Sequence, residues 1–323
     1  MPLKILLMGT GEFALPAFRA VLESQHCVPL VVTQPDKTGR GHHQHVNVVR
    51  RLAEEFSVPV IQPQRINQPE VLDQLRRAEA DLFLVASYGQ ILRPPLLAIP
   101  PLGAFNLHGS LLPKYRGAAP VQYSIWRGDT ITGVTIFRIE PSLDSGPMAC
   151  RVETPIDPHE TSGELMLRLA SLCVPLTIEF LRQVEAGTAT LEPQDASQVV
   201  LSPKIQREDG RIDWSQTSRA IDCQIRAMQP WPKASAMLVR PGQPPVRCLF
   251  QQVRVLATSE QPAIAASPGR VHILDRRLLV RSGDGWLEIL SIQPEGRRPM
   301  EGTAFANGYS PSREAEFLPE ITP

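Results

Sequence analysis

Three polar residues near predicted strands, Asn106, His108 and Asp144, have side chains that can take part in acyl transfer. Asn106 and His108 lie at the end of the run Ala104 to Leu107, and residues two apart on a strand project from the same face. An amide donor beside an imidazole can hold an oxyanion in acyl transfer. Because ligands bind beyond the carboxyl ends of strands in open parallel sheets, a site is expected here. The alternative is a polar strand end closed by a turn.

Asp144 supplies a carboxylate 36 residues after His108, beyond a second predicted strand, Gly133 to Ile139. It could fix the tautomer of that histidine, raise the histidine's pKa, or help to remove a proton from an attacking amine. On its own, Asp-Ser-Gly is an ordinary turn sequence. No nucleophilic cysteine and no G-x-S-x-G motif lie nearby, so the set of Asn106, His108 and Asp144 favours direct transfer over a covalent intermediate.

A glycine-rich turn near the start of the chain raises a second possibility, dinucleotide binding. Residues 9–14 match G-x-G-x-x-A between a predicted strand and a predicted helix. The motif also needs an acidic residue at the end of the second strand, to hold a ribose hydroxyl. Asp36 comes closest, but Thr33-Gln34-Pro35 breaks the strand before it. A tight strand-to-helix turn is therefore favoured over an NAD site.

The elements that must position these residues alternate, over the first 190 residues, between short apolar strands and amphipathic helices. Such alternation predicts an α/β fold with a parallel, doubly wound, Rossmann-like sheet. From residue 208 to residue 315, short β-rich runs are separated by turns, which is typical of a small β-barrel of the oligonucleotide-binding (OB) type. We predict a catalytic domain at 1–190, a linker at 191–207 and a C-terminal barrel domain at 208–315.

Composition narrows the classes of protein that remain. The 323 residues carry 33 basic and 33 acidic side chains, but residues 204–300 hold 15 basic and 9 acidic ones, an excess of +6. This block fits a polyanionic partner or a chance scatter of solvated arginines. Five cysteines without a C-x-x-C pair indicate neither a disulfide framework nor a structural zinc site. No apolar stretch could span the ~30 Å of membrane hydrocarbon, and we expect a cytoplasmic protein.

Several motifs together resemble the 10-formyltetrahydrofolate-dependent formyltransferases. They are Asn106 to Pro113, Tyr115 to Pro120, Leu143 to Gly146, Asp213-Trp214 and Pro230-Trp231-Pro232. The wider run from His108 to Asp129, with residues 33–36 and 39–41, looks like the methionyl-tRNA branch of that family. The resemblance covers nearly the whole chain and therefore includes both predicted domains.

The resemblance implies that Asn106, His108 and Asp144 form the catalytic set. It implies 10-formyltetrahydrofolate as the co-substrate and the amino group of initiator methionyl-tRNA as the acceptor, in a reaction that serves translation initiation. Two segments would line the folate pocket: Tyr88, Gly89, Gln90, Ile91 and Leu92, and Ser110, Leu111, Leu112 and Pro113. We expect a monomer that uses no metal and does not associate with membranes.

The insert from Asp36 to Asn47 resembles the tRNA-binding loop of the family. Arg40 would enter the region of the acceptor stem, where a guanidinium suits phosphates and exposed base edges. The loop is shorter than usual, and three histidines stand where lysines are usual: His42, His43 and His45. Clustered histidines also suit a metal, but no flanking carboxylate supports that interpretation.

Lys204 and Arg207 are further candidates for contacts to the tRNA backbone, with solvated surface charge as the alternative. The rival functions differ in the parts of the chain that they require. A formyltransferase for glycinamide ribonucleotide or for a nucleotide sugar needs no basic barrel after residue 205. An RNA-binding protein with an inactive transferase domain would not need an intact catalytic set.

Overall fold

The computed structural model describes residues 1–38, 44–45, 47–309 and 314–320. This part of the chain forms two compact units. The first comprises Met1–Pro120, Ile131–Pro155 and Leu165–Pro203, and the second comprises Val121–Thr130, Ile156–Glu164 and Lys204–Pro323. Residues 191–203 of the predicted linker thus belong to the first unit, while the functional limits 1–190 and 208–315 remain predictions.

The secondary structure of the described residues alternates as expected in the first unit and is mainly β in the second. The strands are β1 (Ile5–Gly9), β2 (Val31–Val32), β3 (Lys37–Thr38), β4 (Gln44–His45), β5 (Val60–Ile61), β6 (Leu82–Ala86), β7 (Ala104–His108), β8 (Arg116–Gly117), β9 (Ile131–Arg138), β10 (Met148–Pro155), β11 (Leu201–Ser202), β12 (Ala234–Arg240), β13 (Gln243–Val255), β14 (Val271–Leu274), β15 (Arg277–Arg281), β16 (Trp286–Pro294), β17 (Met300–Glu301) and β18 (Glu316–Leu318). The helices are α1 (Leu15–Leu22), α2 (Val48–Glu55), α3 (Pro69–Arg77), α4 (Pro94–Leu97), α5 (Pro120–Trp126), α6 (Ser162–Ala186), α7 (Ser218–Ala227) and α8 (Gly302–Tyr309).

The first unit is built on a seven-stranded sheet in the order β10-β9-β7-β6-β1-β2-β5. The five strands from β7 to β5 in that order are parallel to one another, which confirms the doubly wound, Rossmann-like prediction. Every residue of β1 and β6 is buried, as parallel strands covered on both faces require. The last two strands differ from the prediction, because β9 runs antiparallel to β7 and β10 antiparallel to β9.

The second unit contains an antiparallel sheet in the order β14-β15-β16-β13-β12-β18, with β17 paired to β16. Backbone bonds from Val271 N to Ala315 O (3.1 Å) and from Phe317 N to Gly269 O (2.8 Å) join the two ends of this order. The sheet therefore closes on itself, as predicted for a small barrel. Its interior is apolar and rich in aromatic rings, including Phe250 and Phe317, whose ring centroids lie 5.0 Å apart.

Gly133 in β9 shows how closely the antiparallel edge of the first sheet is packed. A Cβ built at this position would lie 2.0 Å from the carbonyl oxygen of Val152 on β10 and 2.6 Å from Leu111. We expect Gly133→Ala to lower the free energy of unfolding by about 1–3 kcal/mol, because backbone must move to admit the methyl group. A Cβ on Gly11 would meet nothing within 4 Å. Gly11→Ala should therefore change the free energy of unfolding by no more than about 0.5 kcal/mol. Urea titrations of the two variants would measure both values. Equal stabilities would contradict the packing described.

Candidate active site

Strand β7 carries two of the predicted catalytic residues to the carboxyl edge of the sheet. It lies between parallel β6 and antiparallel β9, with Asn106 opposite Val85 on one side and Phe137 on the other. Asn106 is half-buried, and its side-chain amide makes no hydrogen bond within the part of the chain that the structure describes. Because the residue is only half-buried, this amide is open to hydrogen bonds from water or a ligand.

His108 is buried, with 5% of its side chain exposed, and its ring meets that of Phe137 edge-on. Its Nε2 lies 2.9 Å from the carbonyl oxygen of Tyr115. Since a carbonyl can only accept, Nε2 carries the hydrogen and Nδ1 carries the lone pair in the neutral ring. Burial lowers the pKa of His108 below its ordinary value, although the nearby Asp144 carboxylate acts in the opposite direction. Asp144 thus raises the pKa of the histidine, as the sequence suggested it could, but the effect of burial is larger.

Asp144 is brought to His108, with Oδ2 3.8 Å from Nδ1 of the ring. The same oxygen accepts a hydrogen bond of 2.8 Å from the backbone N–H of Gly117. The residue has φ 44°, in the left-handed region that aspartate tolerates better than most side chains. The three residues predicted to be catalytic therefore lie on two neighbouring segments of the first unit, with the carboxylate held by backbone.

The predicted folate loop, residues 88–92, follows β6 and is held by side chains from other segments. The Tyr88 carbonyl accepts from Thr10 Oγ1 at 3.2 Å and from Gln34 Nε2 at 2.9 Å. Gln90 accepts from the Ile66 N–H at 2.8 Å. The side chains of Tyr88 and Leu92 belong to the apolar core of the first unit, whereas Ile91 is 80% exposed. Gly89 and Ile91 are thus the exposed members of this loop, whereas Gln90 is half-buried and also donates from Nε2 to the Pro63 carbonyl at 3.1 Å.

The second predicted folate segment, residues 110–113, is tied to β9. Thr135 Oγ1 donates to the Ser110 carbonyl at 2.7 Å and accepts from the Leu112 N–H at 3.2 Å. Ser110 Oγ donates to the Lys114 carbonyl at 2.6 Å. Ser110 and Leu112 are buried, while Leu111 and Pro113 are partly exposed. Thr135 was missed by the sequence analysis, because a threonine in a β-branched run gives no sign of a tertiary role.

The structure describes only some of the residues that were predicted to contact tRNA. Lys204 and Arg207 are exposed residues of the second unit. Arg40, His42 and His43 lie outside the described residues, and so does the side chain of His45. Within the described ranges, no group of three or more His, Cys, Asp or Glu side chains could hold a metal ion. No helix there is both long and apolar enough to cross a membrane.

The fold and this site define a formyl transferase. The family model for formyl transferase matches residues 3–180, and the model for the C-terminal domain of formyl transferase matches residues 204–310. The chain belongs to the formyl transferase family.

Two named proteins match this chain along nearly the whole length of both sequences. The methionyl-tRNA formyltransferase of Solibacter usitatus is 43% identical over 307 residues, covering 95% of this chain and 96% of the relative. That of Symbiobacterium thermophilum is 40% identical over 324 residues, covering 99% and 97%. Among solved structures, an N-formyltransferase from Helicobacter canadensis in complex with folinic acid and dTDP-3-aminofucose has a TM-score of 0.63. At 17% identity, covering 89% of this chain and 98% of that one, it supports the fold alone.

Proposed function

We propose that this chain transfers the formyl group of 10-formyltetrahydrofolate to the free amino group of methionyl-initiator tRNA, giving formylmethionyl-tRNA for translation initiation. The observation that carries the proposal is the match over both domains, at 40% identity or more, to relatives named for this activity. The basic excess of residues 204–300 supports a nucleic-acid acceptor. We further propose that the enzyme acts as a monomer in the cytoplasm.

The described residues fit a folate co-substrate at the carboxyl edge of the first sheet. Ile91 and Leu143 are 80% and 64% exposed, and such apolar side chains offer surface to a flat ring. The unbonded Asn106 amide supplies a polar group of the kind that fixes a ligand's orientation. We propose that residues 88–92 and 110–113 hold the folate. Gly89, Ile91, Leu111 and Pro113 would do so by direct contact. The buried Tyr88, Leu92, Ser110 and Leu112, together with the hydrogen-bonded Gln90, would do so by fixing the shape of the two segments.

The methionyl amine would attack the formyl carbon of the co-substrate without a covalent enzyme intermediate. The bond from that carbon to the folate nitrogen then breaks, and tetrahydrofolate leaves after its nitrogen has received the proton lost by the amine. Asn106 would donate its side-chain N–H to the formyl oxygen, where negative charge develops. A donor fixed in advance acts more strongly than water because it needs no reorganisation during the reaction. The strand on which Asn106 lies is hydrogen-bonded on both sides, which keeps the amide in place.

His108 and Asp144 would together take the proton that the attacking amine loses. Nδ1 carries no hydrogen while Nε2 donates to Tyr115, and it faces Asp144 Oδ2 at 3.8 Å. A proton placed between these two atoms would be held by both. The lowered pKa of His108 keeps the imidazole neutral near pH 7, where it can accept.

For the acceptor we propose that Arg40, Lys204 and Arg207 contact the tRNA. We expect Arg40→Ala to raise KM for methionyl-tRNA by about 10–100-fold, since hydrogen bonds to charged groups are worth about 1.5–3 kcal/mol. KM for 10-formyltetrahydrofolate should stay unchanged. Steady-state kinetics with each substrate varied in turn would measure both values.

Arg51→Ala provides the matched control, because Arg51 is an exposed arginine of α2. Its kinetic constants should equal those of the unaltered chain. An Arg40→Ala enzyme with an unaltered KM for tRNA would remove this loop from acceptor binding.

The rival acceptors are glycinamide ribonucleotide and amino sugars carried on nucleotides. The test is transfer of radiolabelled formyl from 10-formyltetrahydrofolate to initiator methionyl-tRNA, with glycinamide ribonucleotide competing in the same reaction. Label on the tRNA alone is the expected result. Label on glycinamide ribonucleotide, or on neither acceptor, would overturn the proposed function while leaving the family membership intact.

A further inference from the structure

The segment from Glu192 to Pro203, which we call the return segment, follows α6 and runs back along the loops of the candidate site within the first unit. It is fixed at both ends by backbone hydrogen bonds. Near its start, Glu192 exchanges two bonds of 2.8 Å with Met148. Near its end, β11 pairs in parallel with β8. These residues fall in the predicted linker, 191–207, for which no role at the catalytic residues was expected.

Gln194 uses all the hydrogen-bonding capacity of its side chain on the segments around Asp144. Nε2 donates to the carbonyl oxygens of Asp144 at 2.8 Å and Gly146 at 2.7 Å. Oε1 accepts from the Arg116 guanidinium, from Nε at 3.0 Å and from Nη2 at 2.7 Å. An amide has two donors and two acceptor positions, and each is used here. Gln194 therefore joins the Asp144 turn to β8, whose Gly117 N–H binds the Asp144 carboxylate.

Ser202 holds the carbonyl group that fixes the tautomer of His108. Its side chain is fully buried, with 0% exposure, and its Oγ lies 2.9 Å from the Tyr115 carbonyl oxygen and 3.2 Å from that of Arg116, so the shorter bond runs to Tyr115. That oxygen is also the acceptor for His108 Nε2 at 2.9 Å. Tyr115 has φ 65°, a left-handed conformation that costs a non-glycine residue free energy and persists only where its surroundings enforce it. Ser202 is one of the groups that enforce it.

From these contacts we infer that Gln194 and Ser202 are positioning residues for formyl transfer, Gln194 acting through Asp144 and Ser202 acting through His108. The reaction named in this inference rests on the proposed function. The choice of the two residues rests on the geometry alone. The return segment is then a part of the active site, and β8 is the element through which it acts. Neither residue needs to touch a substrate, because each is bonded to backbone next to a group that does.

The test compares Gln194→Ala and Ser202→Ala with two matched controls in the full-length enzyme. Gln198→Ala and Ser197→Ala replace the same side-chain types in the same segment, at exposed positions whose hydrogen bonds run to Asp195. We expect kcat to fall by about 10–100-fold in the first pair, the cost of a displacement near 1 Å at a reacting group. KM for both substrates should stay within about threefold, since the substrate-contacting groups remain. The controls should retain unaltered constants.

A second arm separates positioning from general destabilisation. In an Asp144→Asn background, Gln194→Ala should reduce kcat by less than about twofold further, because residues that act as one unit are not additive. A purely structural role would instead lower activity by the same factor in both backgrounds. Gln194→Glu keeps the acceptor for Arg116 but places a carboxylate against two carbonyls. It should lose activity as Gln194→Ala does.

A third arm needs no substrate. Hydrogen exchange of the substrate-free enzyme, followed by NMR, should be about tenfold faster at the Gly117 amide in Gln194→Ala and at the His108 imidazole N–H in Ser202→Ala. The inference is overturned if both alanine variants keep the kcat and the exchange rates of the controls, or if lost activity only follows the unfolded fraction. If the unaltered enzyme formylates no acceptor, the proposed function fails, yet the exchange rates still decide whether the return segment positions these groups.

Discussion

Asp144→Asn is expected to lower kcat for formyl transfer by about 10²–10⁴, the range associated with loss of a proton acceptor. The asparagine amide is neutral, so the pair with His108 loses the charge that would hold the amine's proton. Its carbonyl oxygen can still accept from the Gly117 N–H, so the turn should keep its shape. Single-turnover transfer of formyl to methionyl-tRNA would measure the chemical step, and circular dichroism would confirm the fold. Asp144→Ala should be at least as severe.

Asp73→Asn is the matched control for charge removal, because Asp73 is exposed on α3 and paired only with Arg76 among the described residues. It should leave kcat unaltered. An Asp144→Asn enzyme with the kcat of this control would refute the role of the carboxylate.

His108→Ala should likewise lower kcat by about 10²–10⁴ while the chain stays folded. The change removes Nδ1, the atom that faces Asp144, and leaves the Tyr115 carbonyl without its imidazole donor. His108→Gln keeps a side-chain N–H that can reach a carbonyl but supplies no titratable nitrogen, so it should be equally inactive. His159→Ala, at an exposed histidine of the chain, should keep full activity. Normal rates in the His108 variants would remove this residue from the mechanism.

The pH dependence follows from the lowered pKa of His108. The folded protein binds a proton at this position less readily than the unfolded chain, whose histidines titrate near pH 6.5. The stability that His108 contributes is therefore complete above about pH 6.5 and is lost as the pH falls from there toward the folded-state pKa. Urea titrations between pH 8 and pH 5 should show a steeper loss for the unaltered protein than for His108→Gln. A parallel decline in both would contradict the burial described.

Local patterns in the sequence were enough to predict the strand that carries two of the candidate catalytic residues. The run Ala104 to Leu107 predicts a buried strand, and a period of two places Asn106 and His108 on one face. Asp144 was proposed on the assumption that β9 runs parallel to β7, which would bring the turn after β9 to the same edge of the sheet. In the structure β9 is antiparallel and its last residue, Arg138, lies opposite Phe105, so the chain must lead back from there to bring Asp144 to His108. The direction of β9 could not be predicted, since apolar runs carry no information on strand orientation.

The supporting residues could not be predicted, because their partners are far away in the chain. Gln194 is 50 residues from Asp144, and Ser202 is 87 residues from Tyr115. A glutamine between Pro193 and Asp195 is typical of a solvated connection, and its four hydrogen bonds depend wholly on the tertiary structure.

The parallel pairing of β11 with β8 bears on how domains can be exchanged between relatives. A chimaera with its crossover after residue 190 would take β8 from one parent and β11 from the other, while one with its crossover after residue 203 would inherit both from the same parent. The two junctions differ by only 13 positions, yet the first separates residues that must fit together at the catalytic edge. Recombinants of the second kind should be the active ones. The segment that must come from a single parent thus extends beyond α6, the last helix of the first unit, and includes β11.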